Sequence, residues 1–103
     1  MADLTDATGI DTLLRRILTE PSWPARLLCA IAQHLENDLP FVVLDVLALA
    51  TAETAAEERI LAALPDIVAL EARDLTAAAM PMPRAQETGG EYALRLRAIA
   101  RTV

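Results

Sequence analysis

The residue types that do chemistry are sparse in this chain, and their spacing narrows what they can do. It holds one cysteine, Cys29, one histidine, His34, and no lysine among nine basic residues. His34 and Asp38 stand four positions apart, so on a helix both reach one point of the same face. Cys29 is five positions from His34, about 140° further round a helix, and points elsewhere. One His–Asp pair is too few ligands for zinc, which takes three or four from the protein. The pair reads as a surface contact near a helix end, with Cys29 as a small core residue.

Glu57 and Glu58 are adjacent and diverge by about 100° on a helix, so they make no di-carboxylate site. No Glu-x-x-His pair is present, which excludes a di-iron bundle. Three glycines, Gly9, Gly89 and Gly90, supply neither a phosphate loop nor a dinucleotide fingerprint. The nucleophile–base arrangements of catalysis are nearly empty, so the chain reads as a non-enzyme without metal or cofactor.

Asp45 stands alone in an apolar run, residues 39–50 (LPFVVLDVLALA), of which it is the only charge. A buried carboxylate is costly unless paired, so Arg16, Arg26, Arg59 or Arg73 is its expected partner. The remaining options are exposure on a solvent edge, an arginine across an interface, or an acid in a pocket. The run is too short for a membrane span of about 20 apolar residues. A helix apolar on nearly all sides must be surrounded by protein. Residues 39–51 are therefore expected to form the central buried helix of a small domain.

The other elements follow from periodicity and caps. Residues 1–8 are polar and expected to fray. Ile10, Leu13, Leu14, Ile17 and Leu18 follow the amphipathic spacing, and Glu20-Pro21 ends that helix. Ser22-Trp23-Pro24 starts the next, with serine as N-cap and Leu27, Leu28, Ile31 and Leu35 as the buried stripe. Thr54-Ala-Ala-Glu57 matches a capping box, which predicts a fresh helix from Ala55 with Ile60, Leu61 and Leu64 inward. Pro65 must break or kink that helix. Beyond it Ile67, Val68, Glu71 and Leu75 continue a stripe. The prolines of Met80-Pro-Met-Pro83 force the chain out of helix. Residues 81–90 form a loop ending in a flexible Gly89-Gly90 joint, before a C-terminal helix with Tyr92, Leu96 and Ile99 on one side. The 103 residues therefore predict one compact all-α domain of five or six short helices, orthogonal or bundle-like.

Charge limits the partners. The chain carries 15 acids against nine arginines, a net −6, and only residues 84–103 are locally basic. Such a body is poorly suited to binding phosphates, which argues against direct nucleic-acid contact. A helix-turn-helix over residues 62–79 fails for the same reason: Glu71 and Asp74 outweigh Arg73. A single cysteine and no secretion-type N-terminal stretch point to a cytoplasmic protein.

The composition thus favours a non-catalytic protein–protein interaction module, as a homodimer or as a small subunit of a larger assembly. An acidic regulator covering a basic surface is the alternative, and a small-ligand or accessory chain built around Asp45 and Trp23 a third. Trp23, Asp45, Met80, Met82, Arg95 and Arg97 are the candidate contact residues. The central-helix reading further predicts that Val43→Asp or Leu47→Asp unfolds the domain, whereas Arg97→Ala leaves folding unchanged.

Overall fold

A computed structural model describes residues 22–103, so the segment 1–8 expected to fray and the helix expected over 10–18 lie outside the described residues. Four helices are present among the described residues: α1 (Trp23–Asp38), α2 (Val46–Ile60), α3 (Asp66–Ala79) and α4 (Gly89–Ala100). The all-α class holds among the described residues, which form four helices; the expected five or six included the one over 10–18.

The central helix is α1, not residues 39–51. The Ser22 hydroxyl accepts the Ala25 N–H at 3.2 Å, and Pro24 sits in the first turn, where its missing N–H leaves no bond unmade. Ala25, Leu27, Leu28, Ala30, Ile31, Ala32 and Leu35 are all buried, so α1 turns apolar surface to every neighbour. It packs against α2, α3 and, most extensively, α4. Leu27, Leu28, Ile31, Leu35, Leu96 and Tyr92 are the largest side chains fully withdrawn from water. Each contributes about 1.5–3 kcal/mol by burial.

Residues 39–45 are turn and extended backbone, because their carbonyls serve the N-terminus of α4. A helix leaves its first N–H groups without internal acceptors. Here Gly89 N–H donates to Val42 O (2.9 Å) and Gly90 N–H to Pro40 O (3.1 Å). Leu44 N–H donates to Glu87 O at 2.7 Å, closing an isolated antiparallel bridge between Val43 and Thr88. The third N–H, of Glu91, donates to the Thr88 hydroxyl, and the Glu91 carboxylate accepts from Thr88 N–H in return. This is a capping box. Gly89-Gly90 is therefore not a flexible joint but a close approach. A Cβ at Gly89 would lie 2.2 Å from Leu39 O.

Asp45, expected to be buried and paired, is the exposed N-cap of α2, its carboxylate accepting the Ala48 N–H at 2.7 Å. From there α2 runs unbroken through Thr54, so no helix starts at Ala55. The Thr54 hydroxyl donates back to Ala50 O at 3.0 Å, as an interior threonine does. Pro65 does break the chain, and α3 begins immediately after it. The stripe expected on α3 is inverted: Ala72 and Thr76 face the core, while Ile67, Val68, Glu71 and Leu75 are exposed. Residues 80–83 leave helix as expected.

Candidate functional site

The loop that caps α4 and the start of α2 leave a run of large apolar side chains in water. Phe41 is 91% exposed, Val46 78% and Leu47 75%, with Val42 and Val43 half exposed; within residues 41–47 only Leu44 turns into the core. The cause is local. With Pro40 and Val42 carbonyls turned towards α4, and Asp45 held at the cap, Phe41, Val46 and Leu47 point away from α1. The face continues along α2 as a groove of about 430 Å³ lined by Leu47, Ala50, Thr51, Thr54, Ala55 and Glu58. Inward, α2 contributes only Ala52 and Ala56 as buried residues. From sequence alone the same apolar run is expected in the core. The signals that point the other way are Thr88-Gly-Gly-Glu91, a second capping-box match, and an aspartate that caps rather than pairs.

The candidate contact residues do not form one surface. Trp23 is partly buried against the core, with the Arg26 guanidinium 4.5 Å above its ring. Met80 packs against the core and Met82 is exposed. Between them, Pro81 O accepts the Tyr92 hydroxyl at 2.6 Å, so the proline loop is tied to α4. Arg95 forms an ion pair with the buried Glu87 at 2.5 Å and lies 5.5 Å from the Tyr92 ring. Arg97 grips Glu36 of α1 with two hydrogen bonds, Nε to Oε2 at 2.9 Å and Nη2 to Oε1 at 2.5 Å. Residues 84–103 are thus docked, with Arg97 tying α4 to α1.

A recess of about 400 Å³ gathers Trp23, Arg26, Cys29, Arg59 and Arg97. Its guanidinium groups are engaged: Arg26 over Trp23, Arg59 on Gln33 Oε1 at 3.5 Å, and Arg97 on Glu36. His34 Nε2 and Asp38 Oδ2 meet at 3.3 Å, as their spacing implies, and Cys29 is apart from them in this recess. Among the described residues no group of three or more His, Cys, Asp or Glu side chains is placed to hold a metal ion. No described helix is long and apolar enough to cross a membrane.

Titration follows the same contacts. The hydrogen bond from Arg97 holds the Glu36 carboxyl below its ordinary value. Bonds from the Thr88 backbone and hydroxyl do the same for Glu91. Burial, with Glu57 nearby, pushes Glu53 up. Burial likewise raises the Tyr92 phenol to about 12, with Arg95 opposing and Glu53 and Glu87 adding to the rise.

What the described residues offer chemically is an exposed apolar surface. Compared with family models, with curated proteins and with solved structures, the chain matches none.

Proposed function

We propose that this chain is a non-catalytic helical interaction module that binds protein through the face of residues 41–47. The observation that carries the reading is the exposure of Phe41, Val42, Val43, Val46 and Leu47 within seven positions. So many large apolar side chains left in water so close together exceed the scattered single exposures that need no explanation. A cytoplasmic location is supported by the single thiol of Cys29, which suits a reducing compartment.

The test is association and its dependence on the face. Sedimentation of the purified chain, and capture of polypeptides from a lysate on the immobilised chain, are each compared with Phe41→Asp. A face-dependent complex in either assay supports the reading; none in both defeats it. The alternative, an acidic regulator of a basic surface, draws on the net charge of −6. Its complex should dissociate as salt screens the charges, whereas an apolar contact should persist. Asp45, exposed and occupied in capping, gives the ligand-pocket reading no buried acid.

A further inference from the structure

We infer that the groove between the start of α1 and the flank of α3 is the seat of residues 10–18 of this same chain. The inference goes beyond the face at residues 41–47 and does not depend on it.

The helix that needs covering is α3. It packs chiefly against α1, and of its 14 residues only Ala72 and Thr76 are buried. A helix of this length draws its stability from packing rather than from propensity. Its flank nonetheless leaves Ile67, Val68 and Leu75 in water. Val68, Glu71 and Leu75 form one wall of a groove of about 300 Å³, and Trp23 and Pro24 form the other. An apolar groove between two helices is filled by the apolar stripe of a third.

Three observations choose the occupant. The first is where the chain enters. Ser22 lines the groove, and only three residues separate it from Leu18. Fully extended, those four steps reach at most about 14 Å, so Leu18 cannot leave the neighbourhood of the groove. So short a tether gives this segment a high effective concentration there, ahead of any free partner. The second is pattern. Ile10, Leu13, Leu14, Ile17 and Leu18 make one helical stripe, and Glu20-Pro21 ends it where the chain must turn. From residue 10 to 18 a helix rises about 12 Å, the same as from Ile67 to Leu75. The third is charge. Along α3, Asp66, Glu71 and Asp74 stand against Arg73 alone, and Arg73 already pairs with Glu57 at 3.4 Å. On a helix Arg15 and Arg16 fall one to each side of the stripe, where long side chains reach carboxylates at the rim.

A paramagnetic label on the outer side of the segment, at Thr12→Cys in a Cys29→Ser background, reads its position in the full chain. The expected result is broadening of the amide signals of residues 67–75. Adding Ile17→Asp should abolish that broadening while the amide signals of α1 and α4 keep their positions. In the same variant Trp23, the only tryptophan, should shift its emission to the red as water enters the groove. Sharp signals for residues 67–75 in the labelled parent would overturn the inference, and so would broadening that persists with Ile17→Asp. A mixture of labelled chain with isotope-enriched, unlabelled chain separates the sources. Broadening that arises only between chains would give the groove to a second copy and overturn the inference as well.

Discussion

Gly89 and Leu39 O approach so closely that the site admits no side chain, since even a Cβ would stand 2.2 Å from that oxygen. The neighbour is backbone, anchored by two further hydrogen bonds from α4, and cannot swing aside. Gly89→Ala is expected to cost several kcal/mol, in the range of overpacked cores, read as a large fall in melting temperature. Gly90→Ala, at 2.8 Å from Pro40 O, should cost less. Tyr92→Phe removes the bond to Pro81 O and should cost about 1 kcal/mol. In the parent the raised phenol pKa stabilises the fold below the ordinary value of 10, and that contribution is lost as pH climbs towards about 12. Tyr92→Phe should therefore abolish part of the alkaline unfolding between those values, as followed by circular dichroism.

Among the elements, α2 shows how a cap decides where a helix begins. Thr54 matches a capping box in the sequence, but the cap is Asp45, which alone has free N–H groups ahead of it. Asp45→Ala should destabilise by about 1 kcal/mol in urea unfolding, whereas Thr54→Ala should change stability little in the monomer. The reverse order would show a helix start at Ala55. Burial also differs sharply between elements. Seven residues of α1 are buried, against two each on α2 and α3. Hydrogen exchange should accordingly be slowest in α1 and the facing side of α4, and faster in α2 and α3.

Across the whole molecule, α1 is the helix on which the others are laid, and the Glu36–Arg97 pair is one of its ties to α4. Folded Glu36 and Glu91 release their protons more readily than ordinary carboxyls do. Their contribution is present above the ordinary value near 4.5 and is lost as pH falls through the folded values. Glu53 acts in the opposite sense: its raised pKa makes the charged form unfavourable in the fold at neutral pH. Glu53→Gln should raise the melting temperature at pH 7, and Glu36→Gln should lower it by less than about 1 kcal/mol equivalent, as for exposed pairs. Both differences should shrink in acid; equal effects at pH 3 and pH 7 would contradict these assignments. The exposed position of Leu47 reverses the expectation drawn from the sequence. Leu47→Asp should leave the fold intact and act on association instead.

The sequence by itself determined the helical class, the start of α1 at Ser22-Trp23-Pro24, the break at Pro65 and the exit from helix at Met80. Each is a local matter of caps, proline and side-chain period, which a few adjacent residues settle. The Leu27, Leu28, Ile31 and Leu35 stripe was legible for the same reason. What only tertiary structure decided is which apolar run becomes the core. Residues 39–50 are the most apolar stretch, yet Phe41, Val46 and Leu47 are left in water. The backbone around Phe41 is claimed by a helix end some fifty residues further along, Pro40 O by Gly90 and Val42 O by Gly89, while Val46 and Leu47 open α2 on its outer side. No local period records that long-range hydrogen bonding. The candidate surface exists because the carbonyls of Pro40 and Val42 satisfy α4 and thereby deny residues 39–44 a helix of their own.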